Sequence, residues 1–127
     1  MKNSTLLHLF RWMFCLPLFA FGLSHYANVE MMQNIVPSYM PFGGYFWTLA
    51  SGTSLILAGL GIGLQILDKL AALCLAPTIF AFGFMVHLPL AINGDAMATA
   101  SFLKDFMIGS AILLYGFGLS KKTLKPI

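Results

Sequence analysis

The chain has 127 residues, of which 59% are hydrophobic and only 9% are charged. Soluble domains carry about 25% charged residues, so this composition excludes an ordinary soluble domain and predicts an integral membrane protein. The formal net charge of +3 comes from basic residues scattered along the chain, and the absence of a basic patch argues against a nucleic-acid partner.

Four apolar segments with short connections nearly fill this length, since a membrane-spanning helix needs about 20 largely apolar residues. We therefore predict an all-α, four-transmembrane-helix bundle that forms one domain over residues 1–127. The predicted spans are 6–27, 45–67, 70–90 and 102–119.

The first span contains Pro17 near its middle and ends close to His25. Proline has no N–H, so Pro17 predicts a kink and a freed carbonyl at Met13. Arg11 lies toward the start of the span, beside Phe10, and is predicted to anchor the helix at the inner interface. A contact to a lipid phosphate or to a partner's carboxylate is the alternative for Arg11.

The second span is rich in small residues, among them Gly52, Gly59 and Gly63. Gly59 and Gly63 form a G-x-x-x-G pair, which lets a neighbouring helix approach closely. We predict that these glycines pack helices together, and that the same face would permit a homo-oligomer.

The third span carries His87 near its end, and the Asn93-Gly94-Asp95 turn signal follows it. With the predicted boundaries, Lys104 and Asp105 lie at the start of the fourth span. Cys15 and Cys74 have no second cysteine nearby, so they are predicted to act as small hydrophobes.

Basic residues fall mostly on one side of a four-span topology. That side holds Lys2, Arg11, Lys69, Lys121, Lys122 and Lys125, whereas Lys104 falls on the other side. By the positive-inside rule, both the N- and the C-terminus are predicted to be cytoplasmic.

Several ionisable groups then come to the outer side of the bundle. They are His25, Glu30, His87, Lys104 and Asp105. Ionisable groups at membrane depth predict a functional site, so we expect a shared ligand pocket in which His87 pairs with Asp105, and His25 with Lys104 or Glu30. In the alternative interpretation the histidines sit at the interface, Lys104 snorkels, and Asp105 meets the dipole of a helix N-terminus. The spacing of these groups matches no dedicated metal site, and no metal is predicted.

A series of short motifs runs over about 9–119: Arg11 followed by P-L-F-A-F-G-L-S-H-Y, then V-P-S-Y-M-P, L-A-S-G-T-S-L-I-L-A-G-L, V-H-L-P, N-G-D and L-K-D-F. In their order and spacing, these motifs resemble the DoxX-like family of small bacterial membrane proteins. The positions that match are Arg11, Gly22, His25, Pro37, Pro41, Gly52, Gly59, His87, Pro89, Lys104 and Asp105. The resemblance implies a four-helix fold in the bacterial inner membrane. The family is named from subunits associated with quinone-linked sulfur oxidation, so a quinone is the cofactor class to consider.

The leading hypothesis is an accessory membrane subunit, rather than an enzyme acting alone. It would hold a lipid-like or quinone-like ligand, or a protein partner, at the outer polar pocket. A second hypothesis is a membrane subunit of a quinone-linked oxidoreductase with a separate redox partner, in which the histidines donate protons, since imidazole changes its charge near neutral pH. A third is an assembly factor that binds a client membrane protein.

Overall fold

The computed structural model describes residues 3–119, and the described part of the chain is helical without any strand. The helices are α1 (Asn3–Ala27), α2 (Val29–Met32), α3 (Gly43–Leu64), α4 (Asp68–Ala81), π1 (Phe82–His87), α5 (Leu88–Ile92), α6 (Ala96–Leu114) and π2 (Tyr115–Leu119). The segments π1 and π2 are π-helical, and α4, π1 and α5 form one continuous third helix. Four of the lysines that were assigned to the cytoplasmic side lie outside the described residues: Lys2, Lys121, Lys122 and Lys125.

Four of these helices are long and apolar enough to cross a membrane. They are Ser4–Ala27, Gly43–Leu64, Asp68–Ile92 and Ala96–Gly118. The predicted all-α fold with four apolar helices is therefore confirmed. We call the end of the bundle with the 28–42 connection and the 93–95 turn the distal end, and the opposite end the proximal end.

The long helices pack in chain order. Helix α1 lies on α3, α3 lies on α4, and α4 lies on α6, while α2 packs between α1 and α3. Within the described residues, no Cα atom of α1 comes within 8 Å of a Cα atom of α6. The first and fourth helices are therefore separated by a gap, which positions the candidate site.

Close contact between α1 and α3 depends on glycine. A Cβ atom added at Gly52 would lie 2.7 Å from the Cβ of His25 and 2.9 Å from the carbonyl oxygen of Gly22. A Cβ at Gly63 would lie 2.9 Å from the Trp12 ring, and one at Gly59 would lie 3.3 Å from the ring of Phe19. All three predicted packing glycines therefore face α1 of the same chain, so an oligomer would have to use another surface.

The fourth helix begins at Ala96, earlier than the predicted start at 102. Gly94 adopts a positive φ of 93°, and the side chain of Asp95 accepts a hydrogen bond of 2.9 Å from the backbone N–H of Ala98. Asp95 is thus the N-cap, and an aspartate at this position satisfies one of the unpaired N–H groups of the first turn. The interpretation of Asp105 as a residue of the helix N-terminus was wrong, because Lys104 and Asp105 lie well inside α6.

The second and third long helices meet at a tighter turn than predicted. Helix α3 ends at Leu64 rather than at 67, because Gln65 and Leu67 adopt left-handed backbone conformations with φ of 56° and 53°. Helix α4 consequently begins at Asp68, before the predicted start at 70.

Candidate functional site

A cavity of about 500 Å³ occupies the gap between α1 and α6 and is closed at the back by α3 and the third helix. Its apolar lining includes Met13, Phe14, Pro17, Phe21, Ile35, Leu55, Phe82 and Ile108. Its polar lining is formed by His25, Thr48, Ser51, His87, Lys104 and Asp105. The cavity therefore combines an apolar wall with a small group of polar side chains, which is the usual composition of a small-molecule site.

His87 and Asp105 form the predicted pair in this cavity. The Nδ1 atom of His87 lies 2.6 Å from Oδ2 of Asp105, and only 6% of the Asp105 residue is exposed. A buried carboxylate is costly unless it is hydrogen-bonded, so the imidazole N–H stabilises it. Gly83 packs against Asp105 in this pair, and a Cβ added there would lie at van der Waals distance, 3.4 Å, from the Cβ of Asp105.

The position of His87 depends on π1, which ends at this residue. The backbone N–H of Leu88 bonds to the carbonyl of Gly83, five residues earlier. A π-helical turn holds one more residue than an α-helical turn and so changes the face on which the following side chains lie. Such turns are rare and are frequent at functional sites.

His25 lines the same cavity but is not paired as predicted. Its Nδ1 atom lies 2.7 Å from the carbonyl oxygen of Phe21, and its ring stacks on Phe82 with centroids 6.0 Å apart. A carbonyl can only accept a hydrogen bond, so Nδ1 of His25 carries the proton. Neither Lys104 nor Glu30 bonds to this imidazole within the described part of the chain.

Lys104 and Glu30 differ in where the structure places them. Lys104 lines the cavity, and its ammonium group makes no hydrogen bond or ion pair with any described residue. Glu30 lies on α2 and is exposed; its Oε2 accepts a hydrogen bond of 2.9 Å from Gln33. The structure therefore brings together four of the five predicted pocket residues and leaves Glu30 outside the cavity.

Sequence reasoning missed the polar contribution of α3. Thr48 and Ser51 line the cavity, and the Thr48 hydroxyl donates to the Gly44 carbonyl at 2.8 Å. Trp47 also lines the cavity, and its ring N–H donates to the carbonyl of Pro41 at 2.5 Å. Ser51 lies three or four residues after Thr48 and Trp47, and this spacing on one helix face could have indicated that α3 lines the cavity. Hydroxyls in an apolar helix are, however, equally typical of helix packing.

A second polar cluster, formed by Arg11, Asp68 and Tyr115, lies at the proximal end. The Tyr115 hydroxyl donates to Oδ2 of Asp68 at 2.8 Å, and the backbone N–H of Lys69 donates to Oδ1 at 3.0 Å. Asp68 is fully buried, and the Arg11 side chain is close enough to interact electrostatically with Tyr115. Arg11 therefore contacts its own bundle, and its role as an anchor at the inner interface stays a prediction.

The distal cavity can hold a molecule with an apolar body and a polar end. The Nδ1 atoms of both cavity histidines are engaged, and their Nε2 atoms have no hydrogen-bond partner among the described residues. Each neutral imidazole can therefore accept a hydrogen bond from a ligand, and each protonated one can donate. No three metal-ligating side chains come together in residues 3–119.

In comparisons with known proteins, no protein-family model, no curated protein and no solved structure matches the chain.

Proposed function

We propose that the protein is a DoxX-like, multi-pass protein of the bacterial inner membrane, with both termini in the cytoplasm. Four helices of sufficient length and apolarity support insertion into a bilayer. The orientation is supported by the basic residues, since Arg11 and Lys69 lie at the proximal end together with the start of α1 and the end of π2. The distal end then faces the periplasm.

The proposed activity is the binding of an amphipathic, lipid-like or quinone-like molecule in the distal cavity, as part of an accessory membrane subunit. One observation carries this proposal: four ionisable side chains from three helices, His25, His87, Lys104 and Asp105, line a single cavity that is otherwise largely apolar. Polar groups at membrane depth are costly, so their convergence favours a ligand whose polar end they bind.

The His87–Asp105 pair favours a quinone-linked oxidoreductase subunit as a second candidate. A histidine that is held by a buried carboxylate can donate a proton from its free Nε2 atom and regain one from water. In this candidate, a separate redox protein supplies two electrons to the quinone, and two protons reach it in turn through His87.

The test is purification of the full chain in nanodiscs, followed by mass spectrometry and an absorption spectrum of what remains bound. We expect a stoichiometric amphiphile on the wild-type protein and its loss from the His25→Ala, His87→Ala double variant. His8→Ala is the matched control, because His8 is exposed on α1 near the opposite end of the bundle.

The outcomes separate the candidates. A bound quinone with its characteristic ultraviolet spectrum supports the redox candidate, and a bound lipid supports the accessory candidate. A co-purifying membrane protein without any small molecule would instead indicate an assembly factor. Retention of the same amphiphile by the double variant would contradict the proposed site.

A further inference from the structure

Lys104 is a cation in the distal cavity, and it has no counter-ion among residues 3–119. The ionisable side chains that line this cavity within the described residues are His25, His87, Lys104 and Asp105. Asp105 is the one carboxylate among them, and it is bound to His87 rather than to Lys104. The ammonium group of Lys104 is consequently left for a ligand.

Lys104 is exposed on α6, and in the proposed membrane orientation its position along this helix makes a lone charge costly. It lies about 12 Å from the first residue of this helix, at about 1.5 Å per residue. Charged groups within a membrane usually pair with another group or face a water-filled cavity. Snorkelling toward the distal surface is the alternative for a lysine, and it predicts no preference for the charge of a ligand.

The gap between α1 and α6 provides a route from the surrounding bilayer to Lys104. The two helices make no close backbone contact, and the side chains that line the gap include Met13, Pro17 and Phe21 on one side and Ile108 on the other. These apolar side chains can pack on a hydrocarbon chain that remains in contact with the bilayer. The cavity volume of about 500 Å³ lies within the range of about 300–1,000 Å³ that is usual for small-molecule sites.

We infer that the cavity takes up a single-chain anionic amphiphile, with a carboxylate or phosphate headgroup, from the bilayer through the gap between α1 and α6. The headgroup forms an ion pair with Lys104, and the chain packs on Met13 and Phe21. This inference rests on the proposed ligand-binding function and selects among its ligand classes, because a neutral quinone would leave Lys104 without a counter-ion.

The experiment uses the full chain in nanodiscs with a photoactivatable palmitate and its neutral methyl ester, and mass spectrometry locates the adducts. We expect the acid to label peptides around Met13–Phe21 and Lys104–Ile108 with at least tenfold higher apparent affinity than the ester. Lys104→Gln should remove this preference, whereas Lys104→Arg should retain it. Lys69→Gln, which removes a lysine at the proximal end, should behave as wild type.

Each result either supports the inference or overturns it. Equal labelling by acid and ester, or an unchanged preference in a folded Lys104→Gln variant, overturns the charge selection while leaving the proposed binding function intact. If neither probe labels the cavity lining, the proposed function fails as well. Where the preference is present, competition by oleate against lysophosphatidate shows whether a carboxylate or a phosphate headgroup is the better ligand.

Discussion

Asp105 and Asp68 are buried carboxylates at opposite ends of the bundle, and each is held by a side chain from a different helix. His87 bonds to Asp105 at 2.6 Å, and Tyr115 bonds to Asp68 at 2.8 Å. His87 and Tyr115 belong to the π-helical segments π1 and π2. Both polar clusters therefore depend on local departures from α-helical geometry.

Substitution of His87 alone should destabilise the protein. We expect His87→Leu to lower the free energy of unfolding by about 1.5–3 kcal/mol, the usual contribution of a hydrogen bond to a charged group. Adding Asp105→Leu should recover much of this loss, because no buried carboxylate is then left without a donor. Reversible unfolding in detergent measures both values, and additive losses in the double variant would contradict the coupling.

The proximal cluster can be tested by Tyr115→Phe, which removes the donor to Asp68 and keeps the ring. We expect a loss of about 1–3 kcal/mol, since Asp68 is fully buried. Tyr39→Phe is the control, because Tyr39 is 71% exposed. Equal thermal stability of the two variants would show that the Tyr115 hydroxyl contributes nothing measurable.

Contacts between whole helices depend on small residues and on caps. Gly22 and Gly52 bring α1 and α3 together, and Asp95 starts α6 ahead of the fourth apolar segment. The early start lengthens α6 by the residues from 96 to 101 at the distal end, which places Lys104 and Asp105 beside His87 rather than at the helix end.

Gly52→Ala should destabilise the contact between α1 and α3. The new Cβ would meet the backbone oxygen of Gly22 at 2.9 Å, and overpacking of this kind costs about 1–3 kcal/mol. Gly118→Ala is the matched control, because no atom of the described residues lies within 4 Å of a Cβ at that position. We expect Gly118→Ala to be as stable as wild type. Thermal unfolding in detergent compares the two variants. A Gly52→Ala variant as stable as wild type would contradict the close contact between α1 and α3.

Replacement of the N-cap of α6 should weaken its first turns. We expect Asp95→Ala to cost about 0.5–2 kcal/mol and Asp95→Asn to be nearly neutral, because asparagine is an equally good N-cap. Hydrogen exchange of the amides between Ala96 and Thr99 measures the effect locally. Equal protection in Asp95→Ala and wild type would contradict the capping role.

At the scale of the whole molecule, the open arrangement of four helices is the decisive feature. A closed bundle would bring α1 against α6 and fill the space that the cavity occupies. Instead, the helices pack in chain order and leave the first and fourth apart. The second polar cluster connects α1, α4 and π2 at the proximal end, so the gap lies toward the distal end.

The proposed orientation predicts which connections are accessible from each side of the membrane. In a Cys15→Ala, Cys74→Ser background, Gln65→Cys should react with a membrane-impermeant maleimide only after the cytoplasmic side is opened. Ser38→Cys should react in intact spheroplasts, because the 28–42 connection lies at the opposite end of the bundle. Reaction of both cysteines from one side would contradict a four-span topology.

The sequence by itself determined the fold class, because apolar segments of about 20 residues satisfy their backbone groups as helices. It also identified His25, His87, Lys104 and Asp105 as a group, since ionisable residues stand out in a chain with 9% charged residues. Only the tertiary structure decided which groups meet. The start of α6 has a local signal in Gly94 and the N-cap Asp95, whereas the π-helical turn before His87 and the burial of Asp68 depend on packing between helices distant in sequence, which no local pattern reports.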